Sequence, residues 1–279
     1  MNRAMITASV TMNQIQSQID SISHNMANSQ TVGYKRRESA FHDLLSQQLH
    51  SQSNPQMEVG RLTPLGLQVG SGAKIAQTVL QFEQGSLQTT GRELDFALTT
   101  ANHFFRIESS DGAGTEERLT RAGNFYITAN SENPEQLTLV TANGDYLLDN
   151  NGERMIIPED FTSFQLQDGQ LFVTMQDGSL ENIGTLGIRQ VHNPQALVPA
   201  GENQFALADL EALGYAEADI VEDVGVAEIA VLQKTLESSN VDMAKEMSDL
   251  LVAQRHYQFN SRAISMADQM SGLVNGIRG

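Results

Sequence analysis

Residues that could perform catalysis or bind a metal occur in this sequence without the spacing that such sites need. The six histidines include no H-E-x-x-H pair, and no serine lies in a G-x-S-x-G turn. Gly70-Ser71-Gly72 lacks the third glycine of a dinucleotide-binding loop and the Gly-Lys-Ser/Thr of a phosphate-binding loop. Asp149-Asn150-Asn151-Gly152 resembles the start of a calcium loop, but Glu153 is out of register as a ligand. The sequence therefore predicts no catalytic residue, no metal site and no cofactor.

Composition narrows the class further. The 279 residues include no cysteine, which excludes disulfides, thiolate metal sites and cysteine nucleophiles. The net charge of −17 is concentrated in residues 101–225, which hold 21 acidic and 5 basic residues. Such a segment repels nucleic acid and copies of itself. It is either a well-solvated domain or a surface with a role in packing, and the charge alone does not choose between them.

The elements that could position a functional surface are two stretches with a seven-residue repeat, one at each end of the chain. The first runs through Met5, Ala8, Met12, Ile15, Ile19, Ile22 and Met26. The second runs through Met243, Met247, Leu250, Gln254, Tyr257, Ser261 and Ile264. A 3.5-residue period keeps one narrow stripe of a helix facing a partner helix. These residues are the predicted assembly seam, in which Gln254 and Ser261 weaken simple pairing but can fix register.

Helix and turn signals predict an α+β fold, in which N- and C-terminal α-helices form a coiled-coil-like segment around an inserted all-β domain. Helices are expected over 3–28 and from about 240 to 277, with a shorter one over 35–51 and a Gly/Pro-rich linker over 51–75. Alternating patterns and the turns Asn143-Gly144, Asp168-Gly169 and Asp177-Gly178 predict short strands between. The predicted domains are 1–75 with 226–279, and 76–225.

Several polar residues occupy the last turns of the first predicted helix, in Ile22-Ser23-His24-Asn25-Met26-Ala27-Asn28. Asn and Ser compete there for backbone groups and weaken the helix. Two interpretations stay open from the residues alone: a frayed helix end, or a polar set that faces a partner.

Two longer motifs lie near the ends of the chain. The first is Ile19 to Lys35, with a Thr-x-Gly-aromatic-Lys turn, and the second begins at Glu237-Ser238-Ser239. Both resemble motifs of the bacterial flagellar rod and hook axial proteins. Gly91 to Leu98 and Thr120 to Phe125 are similar to the middle domain of that family. The residues that carry the two terminal motifs are Asn25, Ala27, Asn28, Thr31, Gly33, Tyr34, Lys35 and Phe41, then Ser239, Asn240, Val241, Asp242, Glu246, Met247, Gln254, Arg255, Tyr257 and Asn260.

This resemblance implies a structural subunit rather than an enzyme, of the distal rod type, located in the basal body outside the cytoplasmic membrane. Its expected partners are copies of itself, other rod and hook proteins, and the flagellar export apparatus. Nucleic acid is not an expected partner, and the chain is not expected to span a membrane. The first residues lack the apolar core of a cleaved signal peptide, so export without cleavage is expected. The alternatives are a hook or other rod subunit and, in a different class, a secreted acidic binding module on a coiled-coil stalk.

Overall fold

A computed structural model describes residues 2–43, 47–49, 67–69, 73–110, 114–129, 136–208, 216, 220–225 and 229–278 of the chain. Within them the chain divides into two compact units. The terminal unit comprises Met1–Met26, Arg37–Val79 and Asp242–Gly279, and the middle unit comprises Ala27–Arg36 and Leu80–Val241. Most of the predicted linker 51–75, including Gly70-Ser71-Gly72, lies outside the described residues.

The described residues of the terminal unit form two long helices and four short strands. Helix α1 spans Asn2–Ala27 and helix α2 spans Met243–Arg278. Strand β1 (Arg37–Asp43) pairs with β4 (Ala73–Leu80), and β2 (Gln47–Leu49) pairs with β3 (Leu67–Val69). Its apolar core is small, formed by Ile15, Ile22 and Ala253 with Ile19, Met26 and Leu250 packed against them.

The middle unit consists of short antiparallel strands. They are β5 (Leu87–Thr89), β6 (Phe96–Leu98), β7 (His103–Ser110), β8 (Thr115–Thr120), β9 (Tyr126–Ala129), β10 (Leu137–Val140), β11 (Tyr146–Leu147), β12 (Ile156–Ile157), β13 (Phe161–Gln167), β14 (Gln170–Met175), β15 (Leu180–Thr185), β16 (Ile188–Val191), β17 (Leu197–Gly201), β18 (Gln204–Leu207), β19 (Val221–Asp223), β20 (Val231–Gln233) and β21 (Thr235–Glu237).

Strand β7 organises the largest sheet of the middle unit. It pairs with β8 along its length, with β16 at His103–Phe105, and with β11 at Ile107 and Glu108. Because successive side chains of a strand point to opposite faces, Phe104 and Phe105 enter two different apolar clusters. Both rings are fully buried. The sheet is therefore covered on both faces. The segment from Leu94 to Leu98 alternates apolar residues with Asp95 and Ala97, a pattern typical of a half-buried strand, but all five residues are buried.

All three predicted turns connect neighbouring strands. Val140 pairs with Tyr146 across Asn143-Gly144, and Gly144 has a positive φ of 96°. Asp168 and Gly169 both have positive φ between β13 and β14, and Gly178 does so between β14 and β15. This is the conformation for which Asn-Gly and Asp-Gly are selected in tight hairpins.

The predicted fold class is wrong. Residues 35–51 do not form a helix, since β1 begins at Arg37, and the strands continue past 225 into β20 and β21. The backbone carbonyls of Arg36 and Arg37 are occupied by Gln81 and by the Asn25 side chain, so they cannot enter a helical ladder. The terminal helices also do not form a coiled-coil-like segment, because most seam positions of α2 are exposed. The described chain is predominantly β, with one helix near each end.

Candidate functional site

The predicted seam of α1 faces inward within the terminal unit. Ala8, Ile15 and Ile22 are buried, and the remaining predicted seam positions are partly covered: Met5, Met12, Ile19 and Met26. Isoleucine at seven-residue spacing supplies the apolar side of the small core. The opposite face of the helix carries exposed Asn13, Gln16 and Asp20, as expected for an amphipathic helix.

The predicted seam of α2 is placed differently. Leu250 and Ile264 are partly covered, whereas Met243, Met247, Gln254 and Tyr257 are exposed. Ala253, which lies between two seam positions, is the residue of α2 that is buried in the core. The helix therefore meets its own unit along a stripe rotated from the predicted one, and it leaves large apolar side chains uncovered.

Asn25 makes the principal polar contact of the terminal unit. Its Nδ2 donates to the Arg37 carbonyl at 2.8 Å, and its Oδ1 accepts from the Arg37 N–H at 2.9 Å. The same Nδ2 lies 3.3 Å from Glu246 Oε2, and both side chains are buried. One amide thus joins the end of α1, the start of β1 and the first turn of α2. The polar end of α1 is therefore held in place at Asn25, and the partner that this side chain faces is its own chain.

The beginning of α2 is capped by Asp242. Its Oδ1 accepts from the backbone N–H of Ala244 at 2.9 Å and of Lys245 at 3.3 Å. A carboxylate at this position satisfies free N–H groups and interacts favourably with the helix dipole. Ser239 and Asn240, which are also residue types that often cap helices, instead hold the extended segment before the helix.

In the middle unit, residues 28–35 form a compact turn. The Thr31 N–H donates to the Asn28 carbonyl at 3.2 Å, and the Thr31 hydroxyl lies 3.2 Å from Asn28 Oδ1. Gly33 has a φ of 68°, and its N–H donates to the Glu237 carbonyl at 2.9 Å. A Cβ at Gly33 would lie 2.6 Å from backbone atoms of Arg121 and Ala122, so the turn requires glycine.

A buried ion cluster anchors this turn. Glu237 accepts from Lys35 Nζ at 2.8 Å and from Arg121 Nε at 2.7 Å, and all three side chains are at most 2% exposed. Lys35 Nζ also donates to the Glu83 carbonyl, and Arg121 donates to carbonyls of the β6–β7 connection. Burial lowers the pKa of Lys35 and of Arg121, and the Glu237 carboxylate opposes this in both cases.

Asn240 holds the other side of the same turn. Its Oδ1 accepts from the Arg36 N–H at 2.7 Å, and its Nδ2 donates to the carbonyls of Gln81 and Glu83. Tyr34 is buried beside it, and its carbonyl accepts from the Asn240 N–H. Two adjacent peptide N–H groups, of Arg36 and Arg37, are therefore bound by two different asparagine side chains.

The other signature residues fall into two groups. Ala27 ends α1 and is exposed, and Phe41 lies in β1. Ser239 accepts from the Val241 N–H through its hydroxyl. On α2, Gln254, Arg255 and Tyr257 are exposed, and Asn260 donates to the His256 carbonyl within the helix. The signature residues in the middle of α2 thus face solvent, apart from the partly covered Asn260.

Sequence reasoning missed the roles of Glu237 and Arg121 as the centre of the ion cluster. Both lie within motifs quoted for the family resemblance, but a lone carboxylate among 34 acidic residues carries no distinguishing pattern. A second missed residue is Gln233, whose amide donates to the carbonyls of Glu93 and Phe164 and accepts from the Leu166 N–H. It completes the hydrogen bonding of β13, an edge strand.

Among the described residues, no group of three or more His, Asp or Glu side chains is arranged to hold a metal ion. No helix within the described residues is both long enough and apolar enough to cross a membrane.

Comparison with known proteins gives consistent matches. A family model described as the C-terminal region of flagellar basal body rod FlgEFG proteins matches residues 232–277. The chain is 38% identical, over the full length of both, to the flagellar hook-basal body complex protein FlhP of Bacillus subtilis. It is 35% identical to the flagellar basal-body rod protein FlgG of Borreliella burgdorferi, covering all of this chain and 99% of that one. The FlgG protein of Bacillus subtilis is 32% identical over 99% of each chain.

Proposed function

Because this chain belongs to the family of flagellar basal-body rod proteins, we propose that it is a structural, non-enzymatic subunit that polymerises through its terminal helices and transmits torque from the motor to the hook. The observation that supports this most is the exposure of Met243, Met247 and Phe259 on α2. Large apolar side chains on one helix mark a surface that other protein covers in the assembled state.

The proposal assigns the chain to the distal part of the rod, with residues 1–75 and 226–279 as the axial core and 76–225 as the outer β-rich domain. The net charge of the acidic middle segment opposes unwanted association of the subunits. The proposed partners are copies of this chain and neighbouring rod and hook proteins. We propose that the flagellar export apparatus delivers the subunit to the outside of the cytoplasmic membrane.

Deleting the gene and imaging isolated basal bodies by electron microscopy tests this function. Loss of motility with basal bodies that lack a complete rod and hook supports a rod subunit. A complete rod without a hook assigns the chain to the hook instead. Intact basal bodies and full motility contradict both and favour the secreted binding module.

Complementation sharpens the test. The full chain restores motility, and the variant Met247→Glu, which puts a charge on an exposed apolar position of α2, restores it poorly. A matched control, Leu180→Glu, changes an equally exposed leucine of β15 in the middle unit and restores motility fully. Equal complementation by both variants would contradict assembly through α2.

A further inference from the structure

Three turns of the middle unit share one backbone conformation. They span residues 141–145, 149–153 and 175–179. In each, the N–H of the first residue donates to the carbonyl of the fifth, and the N–H of the fourth residue donates to the carbonyl of the first. The fourth residue is a glycine with a positive φ, of 96°, 84° and 82° at Gly144, Gly152 and Gly178. This is a type I turn followed by a glycine bulge. The residue before the glycine differs between the turns and is Asn143, Asn151 or Asp177.

An asparagine that precedes a glycine can react with the backbone of its own chain. The glycine nitrogen, once deprotonated, attacks the asparagine carbon Cγ, and glycine has no side chain to obstruct the approach. A bond forms between this nitrogen and Cγ, the bond between Cγ and Nδ2 breaks, and ammonia leaves with the proton that the nitrogen lost. Water then opens the succinimide ring at either of its carbonyls and gives aspartate or isoaspartate, in which the main chain is one atom longer.

The side chain of Asn143 is exposed and held by few contacts. Its amide makes no hydrogen bond within the described part of the chain, and only its backbone N–H is bound, by the Thr141 hydroxyl at 3.3 Å. The Gly144 N–H donates to the Thr141 carbonyl at 3.1 Å. A Cβ placed at Gly144 would have no described atom within 4 Å beyond its chain neighbours. Breaking one backbone hydrogen bond therefore lets the Gly144 nitrogen and the Asn143 side chain meet in open space.

The side chain of Asn151 occupies the same position of its turn but is clamped by a carboxylate. Its Nδ2 donates to Asp149 Oδ2 at 3.0 Å, and Asp149 Oδ1 accepts from the N–H groups of Asn151 and Glu153 at 2.8 Å each. Hydrogen bonds to a charged acceptor are stronger than those to a hydroxyl. The Arg106 guanidinium also donates to the Asn150 carbonyl at 3.1 Å. The amide of Asn151 must leave these contacts before its carbon Cγ can be attacked.

We propose that Asn143 is a site of spontaneous deamidation, and that Asn151, in the same turn conformation, is protected by Asp149. The backbone is equivalent in the two turns, so the contacts of the asparagine side chain and of the first residue of the turn set the difference in rate. The reaction needs only water and takes place in the isolated subunit.

Deamidation at Asn143 changes its turn in two ways. Either product adds a negative charge to residues 101–225, which already hold 21 acidic and 5 basic residues. Aspartate is compatible with the turn, because Asp177 occupies the same position in residues 175–179. Isoaspartate lengthens the main chain between Val140 and Tyr146, which are paired across the turn, and so disturbs the register of β10 and β11.

Peptide mapping by mass spectrometry measures the reaction in the full-length protein. Cleavage before aspartate separates the two asparagines, because Asp145 and Asp149 lie between them. After prolonged incubation of the folded protein at physiological temperature and pH, we expect Asn143 to convert about tenfold faster than Asn151, a ratio that corresponds to about 1.4 kcal/mol of activation free energy. An isoaspartyl-specific methyltransferase should label the Asn143 peptide. An equal or higher rate at Asn151, or no conversion of Asn143, would overturn the proposal.

Exchanging the first residues of the two turns tests the protecting role of Asp149. Thr141→Asp supplies the clamp to Asn143 and should slow its conversion toward the rate of Asn151. Asp149→Thr removes the clamp and should accelerate the conversion of Asn151 toward the rate of Asn143. Unchanged rates in both variants would show that the carboxylate does not protect. A slower reaction cannot result from a loosened turn, so Thr141→Asp is decisive even where Asp149→Thr lowers stability.

Two substitutions at the site itself complete the test. Asn143→Gln keeps an amide but forms the ring far less readily, so the acidic species that isoelectric focusing detects in the aged parent should be absent from it. Asn143→Asp supplies the aspartate product and should unfold at the same temperature as the fresh parent. An acidic species that accumulates equally in Asn143→Gln and in the parent would place the modification elsewhere in the chain. None of these measurements requires assembly, so their outcome is separate from that of the gene deletion.

Discussion

The two units of this chain bury their side chains to very different degrees. The middle unit encloses two apolar clusters in which Phe96, Phe104 and Phe105 are fully buried, and it anchors its turn with a buried ion cluster. The terminal unit has a core of three buried residues and one buried Asn–Glu contact, while a long helix exposes most of its apolar side chains. The first unit buries its apolar clusters within one chain, and the proposed function implies that the second buries its exposed apolar side chains when other copies bind.

This difference predicts where substitutions reduce stability and where they reduce assembly. Changes in the middle unit should lower the free energy of unfolding of the isolated protein. Changes on the exposed face of the terminal unit should leave that free energy nearly unchanged and act on polymerisation. Three substitutions, taken in order of decreasing expected effect, separate these contributions.

Removing Glu237 should have the largest effect on the isolated protein. Glu237→Ala leaves the buried cations of Lys35 and Arg121 without their counter-charge, which is expected to cost about 3–5 kcal/mol of unfolding free energy. Urea unfolding followed by circular dichroism measures the loss. Glu116→Ala is the control, because that carboxylate is exposed and its pairing with Arg118 should contribute less than about 1 kcal/mol. Equal effects of the two substitutions would contradict the structural importance of the cluster.

Gly33→Ala should have the second largest effect, because two costs add at this position. The positive φ of 68° disfavours alanine by about 1–2 kcal/mol, and the new Cβ would lie 2.6 Å from the backbone at Arg121 and Ala122. Gly91→Ala is a matched control, with a φ of 79° and no atom within 4 Å of its Cβ. Both substitutions carry the cost of a positive φ. The difference between the two midpoints of thermal unfolding therefore measures the clash of the Gly33 Cβ with the backbone of Arg121 and Ala122. If the two midpoints fall equally, the turn and the Arg121 segment are not in close contact.

The same two regions show how far the sequence could predict the molecule. The ends of both long helices and the three hairpin turns follow from local patterns, since apolar periodicity and positive-φ residues are properties of neighbouring positions. The helix expected over 35–51 was wrong because its backbone groups are bound by Asn25 and Gln81, which lie elsewhere in the chain. The prediction that the two terminal helices form a coiled-coil-like segment was wrong. A seven-residue repeat shows which side chains share one face of a helix, but it does not show which partner covers that face.

The candidate site shows the same limit. The signature residues Lys35, Asn25 and Asn240 could be named from the sequence, but each of them binds at least one group more than 40 residues away. That group is the Glu237 carboxylate for Lys35, the Glu246 carboxylate for Asn25 and the Gln81 carbonyl for Asn240. The exposure of Met247 and Tyr257 also could not be read from the repeat, because the repeat is the same for a covered and an uncovered helix face. Local chemistry is therefore predictable here, and long-range pairing is not.

The smallest of the three effects on the isolated protein should come from Asn25, whose contacts lie within the terminal unit. Asn25→Ala removes both hydrogen bonds to the Arg37 backbone and leaves Glu246 without this amide, at an expected local cost of about 1–3 kcal/mol. Hydrogen exchange should show faster exchange at the end of α1 and in the first turn of α2, with unchanged protection in β7 and β8. Asn13→Ala, an exposed position of the same helix, is the control and should leave the exchange rates unchanged. If the terminal helices assemble as proposed, Asn25→Ala should also raise the concentration at which the protein polymerises. Strong protection across residues 5–26 in the variant would show instead that α1 is held by its apolar face alone, and that the terminal unit resembles the middle unit more closely than its small core suggests.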